Sequence, residues 1–350
     1  MDKIRVLVVD DSSFMRKVIS QMLEESKEIE VIDTAKDGNE ALKKIKENKP
    51  DVITLDVEMP RLNGLQTLGY IMNEMPLPVI MVSAYTPKGA EITIQALQYG
   101  AVDFVCKPSG EISIDIKKIQ DELVEKIKAA KNVDLSKLVF ITPENIDSAK
   151  AERKYEVDQD TIVVVAASTG GPKALGDVVP RIPRNIPASI LIVQHMSPGF
   201  TKTLAERLND QSIIVVKEAV QGEELKKGTA YIAPGNFHME IKPGDNGSYL
   251  IDLNQKPYRS GVRPSADYTF FSVAENFKGR IIGVVLTGMG KDGSAGLEKV
   301  KEKKGIIIAQ DKETSVIFGM PKAAIDKGIV DKIVPLDKVA EAIIEAIEKK

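Results

Sequence analysis

Short apolar runs alternate with amphipathic stretches through the first 131 residues. IRVLVV (4–9), EVIDTA (30–35), DVITLD (51–56), PVIMVSA (78–84) and AVDFVCKP (101–108) read as buried strands. Between them, FMRKVISQMLEE (14–25), NEALKKIKEN (39–48), NGLQTLGYIMNEM (63–75) and AEITIQALQYG (90–100) read as helices, and a long helix is predicted over 112–131. Ser12 and Ser13 are good N-cap residues for the first of these. Five strand–helix units in series predict a parallel sheet with helices on both faces.

The pattern breaks over 132–158, which is polar and weakly periodic and carries a Thr-Pro-Glu turn signal. This stretch reads as a linker. Alternation resumes with TIVVVAAS (161–168), ASILIVQH (188–195), SIIVVKEA (212–219), TAYIAP (229–234), RIIGVVLTG (280–288) and GIIIAQD (305–311). KALGDVVPRI, FTKTLAERLND and DGSAGLEKVKEK supply helices between them. NFHMEIKPGDNGSYLIDL (236–253) instead predicts an antiparallel hairpin turning at Asp-Asn-Gly. The expected architecture is therefore two doubly wound α/β domains, 1–131 and 159–350, joined by 132–158. The second is larger and carries the hairpin.

The 350 residues suit two domains at roughly 100–200 residues each. Lys and Arg number 48 against 51 Asp and Glu, a net charge of -3 that offers no bulk electrostatic attraction for nucleic acid. No run of about 18 apolar residues exists to insert into a membrane, and the start lacks a leader's hydrophobic region. A cytoplasmic location is the expectation. The lone Cys106 permits neither an intramolecular disulfide nor a cysteine-built zinc site. Only two histidines, His195 and His238, are available to any mechanism that needs an imidazole.

In an open parallel sheet the chemistry gathers at the carboxyl ends of the strands. In the first domain those ends carry Asp10-Asp11, Asp56, Ser83 and Lys107-Pro108. Carboxylates crowded on one edge repel unless a cation compensates, and oxygen-only ligands suit Mg²⁺. A lysine and a serine beside them can hold phosphoryl oxygens, so the set predicts an aspartate that accepts a phosphoryl group. From VLVVDD through LDVEMP, MVSA and FVCKP, residues 3–128 resemble the receiver domain of two-component response regulators. The resemblance implies Asp56 as phosphoacceptor. It implies Asp10, Asp11 and Asp56 with the backbone carbonyl of Glu58 as Mg²⁺ ligands, and Ser83, Phe104 and Lys107 as the switch residues. The family often has Thr where Ser83 stands.

In the second domain TIVVVAAS runs into TGGPKAL, which puts Ser168 on a strand-to-helix turn with Gly170 and Gly171 allowing the bend. A helix N-terminus there would favour negative charge forming on the serine. The same pattern also fits a plain N-cap or an anion-binding loop. His195 and Asp292 follow two other strands, and the three residue types together suggest nucleophilic acyl transfer. His238, inside the hairpin, fits a structural role. Gly288 to Gly293 also spells GxGxxG, with Asp311 ending the next strand, which permits a nucleotide-dependent oxidoreductase. Its late position and the acidic Asp292 count against that reading.

ASTGGP, QHMSPGFT, YIAPGNFHMEI, RPSAD, LTGMGKDGSAG and AQDKETSVIFGMP together resemble the catalytic domain of the chemotaxis receptor methylesterases, the CheB family, over about 160–345. The resemblance implies Ser168 as nucleophile, His195 as general base and acid, Asp292 as its orienter and the Met289 backbone N–H as oxyanion donor. It implies hydrolysis of glutamate γ-methyl esters on methyl-accepting chemoreceptors, with glutamine deamidation by the same residues. A chemotaxis histidine kinase would be the phosphodonor, and the ester chemistry would need no cofactor. Val262 stands where many members have histidine. A non-enzymatic regulator that only binds receptors is the remaining alternative.

Overall fold

The computed structural model describes residues 3–108, 113–138, 155 and 159–348. The chain divides into two compact units, residues 1–140 and 141–350.

In the first unit five strands, β1 (Ile4–Val9), β2 (Ile29–Ala35), β3 (Val52–Asp56), β4 (Val79–Ser83) and β5 (Asp103–Cys106), form one sheet in the order β2-β1-β3-β4-β5. Every pairing is parallel. The helices are α1 (Ser13–Glu24), α2 (Gly38–Asn48), α3 (Gly64–Glu74), α4 (Pro87–Gln98) and α5 (Ser113–Lys131). The central strands are covered on both faces, so β3 and β4 are buried at every position, as their continuous apolar runs require. Ser12 caps α1 by accepting from the Met15 N–H. Order reverses between β1 and β3, which places the carboxyl ends of those strands beside the crevice where ligands bind in such sheets.

The second unit holds a seven-stranded sheet. Its strands are β6 (Thr161–Ala167), β7 (Ala188–Gln194), β8 (Val215–Glu218), β9 (Thr229–Ile232), β12 (Arg280–Val285), β13 (Ile306–Gln310) and β14 (Lys332–Val334). They are ordered β14-β13-β12-β6-β7-β9-β8, all parallel. The antiparallel hairpin is present as β10 (His238–Pro243) and β11 (Tyr249–Asn254), with Asn246 and Gly247 at positive φ in its turn. The helices are α6 (Gly171–Val178), α7 (Phe200–Gln211), α8 (Ala266–Asn276), α9 (Ser294–Glu302), α10 (Met320–Asp326) and α11 (Val339–Glu348). One core spans β6, β7, β9, β12, β13, the hairpin, α8 and α9, including Val164, Leu191, Tyr231, Ile251, Phe270 and Leu297. Each such side chain stabilises the fold by about 1.5–3 kcal/mol through burial.

Four elements were not legible as separate runs: β14, α8, α10 and α11. The strand over 212–219 is shorter than its apolar run, because Ser212 to Ile214 lead into it without pairing. Of the stretch read as a linker, Leu135–Leu138 forms one 3-10 turn, and the Thr-Pro-Glu signal lies outside the described residues. Among the described residues no helix is long and apolar enough to cross a membrane.

Candidate active site and carboxylate cluster

In the first unit, β1 delivers Asp10 and Asp11 and β3 delivers Asp56, so that one oxygen of each lies within 4.8 Å of the others. Asp10 and Asp56 are buried and Asp11 is exposed. After β5, the Lys107 N–H bonds the Ser83 carbonyl at 2.8 Å, which puts Lys107 level with the end of β4. Its ammonium lies 2.8 Å from Asp10 Oδ2 and 2.8 Å from Asp56 Oδ2. One cation thus serves two buried carboxylates. Burial pushes the Asp56 carboxyl up to about 6; Lys107 opposes this, and the Asp10 charge adds to it. Burial also works against the Lys107 ammonium, but its bonds to Asp10 and Asp56 prevail and raise it. Hard oxygen donors with negative charge left over fit a divalent cation such as Mg²⁺.

The Glu58 N–H donates to Asp56 Oδ1 at 3.2 Å, so the turn after β3 folds back on the carboxylate. Ser83 is fully buried at the end of β4, its hydroxyl donating to the Ala84 carbonyl at 3.3 Å. Phe104 is buried, with the Lys126 ammonium 5.3 Å from its ring centroid.

In the second unit β6 lies between β7 and β12. Register pairs Ala167 with Gln194 and Ala166 with Val285. The ladder continues past the strands: His195 N–H donates to the Ala167 carbonyl at 3.1 Å, and Ser168 N–H to the Thr287 carbonyl at 3.0 Å. Ser168 and His195 therefore end adjacent strands at the same level. Asp292 arrives from the far side of β6, through the loop after β12, and its Oδ2 lies 2.8 Å from His195 Nε2. With the Nε2 proton directed at Asp292, His195 Nδ1 is left as the acceptor.

Asp292 is 3% exposed. Burial raises its carboxyl, but hydrogen bonds from His195, from the Ser265 hydroxyl at 2.6 Å and from the Ala266 N–H at 2.6 Å outweigh this and hold it below the ordinary range. The Ser168 hydroxyl makes no hydrogen bond among the described residues. The backbone holding it is fixed twice over. Its carbonyl accepts from the Gly171 N–H at 2.7 Å and from Gln194 Nε2 at 3.0 Å. Gln194 Nε2 also bonds the His195 carbonyl at 3.1 Å, so one buried amide ties both strand ends together. Gly170 takes φ +76 to start α6 directly behind the serine.

The glycine-rich loop packs against Ser168. A Cβ on Gly288 would lie 2.7 Å from Ser168 Cβ and 2.5 Å from Met320 Sδ. Met289 follows, and its N–H finds no partner among the described residues. Gly288→Ala must displace Ser168, and a misplacement of about 1 Å can cost about a hundredfold in rate. A kcat near the wild-type value, measured alongside a melting curve, would contradict this packing.

His238 lies elsewhere. It is fully buried, its Nδ1 accepts from the Ser265 N–H at 3.1 Å, and its Nε2 faces the Pro257 carbonyl at 3.2 Å. Burial lowers its pKa, and Nδ1, as the acceptor of the Ser265 N–H, carries no proton. The GxGxxG segment turns its acidic residue inward to His195, and Asp311 caps its own turn by accepting from Thr314. Sequence reasoning singled out neither Ser265 nor Gln194. The signals available were a serine just ahead of the apolar run of α8 and an amide at the end of a wholly apolar strand.

Residues 163–343 match the family CheB methylesterase, and residues 6–117 match the response regulator receiver domain. The chain is 50% identical over 347 residues to a protein-glutamate methylesterase/protein-glutamine glutaminase of Pyrococcus abyssi, covering 99% of this chain and 94% of that one. Its identity to the protein of the same name from Thermotoga maritima is 48%, over 98% of each. The crystal structure of the Thermotoga maritima CheB methylesterase catalytic domain superimposes with a TM-score of 0.51 at 50% identity, covering 53% of this chain and 97% of that domain. Taken with the site geometry, these matches establish that the chain belongs to the CheB methylesterase family and carries a response-regulator receiver domain ahead of its methylesterase domain.

Proposed function

We propose that the protein hydrolyses glutamate γ-methyl esters on chemoreceptors, and deamidates receptor glutamine, under control of phosphorylation at Asp56. The observation that carries this reading is the partly buried His195–Asp292 bond, 2.8 Å long, at the strand end next to Ser168. His195 Nδ1 takes the Ser168 proton as the hydroxyl attacks the ester carbonyl. Negative charge on the carbonyl oxygen meets the Met289 N–H and the N-terminal end of α6. Asp292 steadies the imidazolium, which then hands the proton to the departing methoxide, and methanol leaves. Water, deprotonated by His195, hydrolyses the acyl-serine and regenerates the hydroxyl. With glutamine as substrate the leaving group is ammonia.

In the receiver, Asp10, Asp11, Asp56 and the Glu58 carbonyl would hold Mg²⁺, which offsets the charge of incoming phosphoryl oxygens when bound. The Asp56 carboxylate attacks phosphorus as the phosphorus–nitrogen bond to the donor's histidine breaks and that imidazole leaves, and Lys107 and Ser83 receive the phosphoryl oxygens at the ends of β5 and β4. Phe104 follows the displaced Ser83 as the switch. The phosphodonor is a chemotaxis histidine kinase, and the setting is the cytoplasm. Methanol release from membranes bearing methylated chemoreceptors tests the activity directly. Release by the wild-type chain and none by Ser168→Ala is expected; equal release from both would refute the assignment.

A further inference from the structure

Besides His195, Asp292 has two hydrogen-bond donors, and both come from the start of α8. Ser265 is the N-cap residue of that helix, in extended backbone at φ -119 and ψ 132. A serine at this position ordinarily accepts a hydrogen bond from the first turn, an interaction worth about 1 kcal/mol. Ser265 makes no such bond. Its hydroxyl instead donates to Asp292 Oδ1 at 2.6 Å, and the Asp292 carboxylate accepts the first helical N–H, that of Ala266, on Oδ2 at 2.6 Å. Asp292 has taken over the capping role, and Ser265 acts on Asp292.

The hydroxyl can only do this if the Ser265 backbone is held. Its N–H donates to His238 Nδ1 at 3.1 Å, and the other side of that ring is fixed by the Pro257 carbonyl and by Tyr268, whose ring centroid is 4.3 Å away. Ser265, His238 and Asp292 are all buried, and so are the bonds that Ser265 makes to His238 and to Asp292. The other charges around Asp292 are the His195 ring at the end of β7 and the Arg259 guanidinium, which is bound to Asp267 at 2.8 Å.

We propose that Ser265 is a positioning residue of the hydrolytic site, orienting and weakening the basicity of Asp292, and that the buried imidazole of His238 holds Ser265 in place. This rests on the reading of Ser168, His195 and Asp292 given above. A donor to Oδ1 stabilises the carboxylate's charge and lowers its pull on the His195 proton. Without it, Asp292 is both less well aimed and more basic.

The test uses the full chain and methylated receptor membranes. Ser265→Ala is expected to lower kcat about tenfold to a hundredfold at unchanged KM. It is also expected to move the acid limb of the kcat/KM profile to higher pH by about half a unit or more. A residue that only packs would leave that limb in place, and an unmoved limb overturns the proposal whatever happens to the rate. His238→Asn can set its side-chain oxygen where Nδ1 stands and should keep more kcat than His238→Ala at matched melting temperature. Equal kcat in the two overturns the His238 link. Ser168→Ala separates the two readings. If it keeps turnover, the hydrolytic assignment fails. If it abolishes turnover while Ser265→Ala has the wild-type rate and profile, the positioning role alone fails.

Discussion

Ser168→Ala and His195→Ala are each expected to lower kcat about a thousandfold to a millionfold while leaving the fold intact. Ser168 is half-buried at the end of β6, and its backbone carbonyl is already held by Gly171 and Gln194. Loss of its hydroxyl breaks no hydrogen bond among the described residues, so stability should change by no more than about 0.5 kcal/mol. The rate should collapse because neighbouring hydroxyls are occupied: Thr287 Oγ1 donates to the Thr169 carbonyl at 2.9 Å. The double variant should be about as slow as either single one, since nucleophile and base act as a unit. Turnover of receptor methyl esters and a melting curve on the same preparations check both halves. The outcome that would sink the assignment is a severe His238→Ala defect beside a mild His195→Ala one.

Asp56→Asn is expected to abolish every response to phosphodonor plus Mg²⁺ and to leave basal hydrolysis unchanged, because Asp56, the proposed phosphoacceptor, lies in the other unit from Ser168. The wild-type chain, treated in the same way, should hydrolyse faster than untreated chain. The variant carries a second signature. The folded Asp56 carboxyl sits at about 6, above its ordinary unfolded value of about 3.9. The folded receiver therefore binds a proton more readily than the unfolded one. Without divalent cation, its stability should rise as pH falls from about 7 through 6 towards 4. At neutral pH the ionised Asp56 costs stability, so Asp56→Asn should raise the receiver's stability by on the order of 1–3 kcal/mol and flatten that pH dependence. Denaturant titrations at pH 5 and pH 7 would measure it. A variant no more stable than wild type at pH 7 would mean that Lys107 fully offsets the burial and the Asp10 charge.

The residues that ended apolar runs were legible because a parallel sheet has only one place to put them. Asp10, Asp56, Ser83 and Lys107 end or follow four different strands, and the registers bring them to one edge. Ser168 and His195 follow the same logic on β6 and β7. Asp292 was harder to read, since it stands seven residues after the last residue of β12, Val285, and its direction depends on how the loop closes. The Ser265 bond that aims it and the Gln194 bonds that tie the neighbouring strand ends were not legible. Ser265 looks like any helix cap in sequence, and only the fold reveals that its hydroxyl faces away from its own helix. Gln194 looks like the polar end of a strand, whereas its amide spans two backbones that meet only after the sheet forms. Strand β14 has just three residues, two of them half-buried, so its apolar signal is too weak to separate from a loop.

The place of β6 in its sheet bears on synthesis. This strand is buried at all seven positions, and its two neighbours are made at very different times: β7 ends at Gln194, while β12 begins only at Arg280. A nascent chain that has released β6 and β7 but not β12 carries TIVVVAA as an open edge, with the backbone groups that later pair with β12 unsatisfied. That run has high β-propensity and no charge, the composition that favours joining a second copy. Ribosome-bound chains arrested before residue 280 should therefore be inactive and should need chaperone cover. Those extended far enough beyond Val285 to clear the exit tunnel should gain protection of the edge, and hydrolytic competence should follow once Ile317 and Met320, whose backbone bonds hold Gly288, have also emerged.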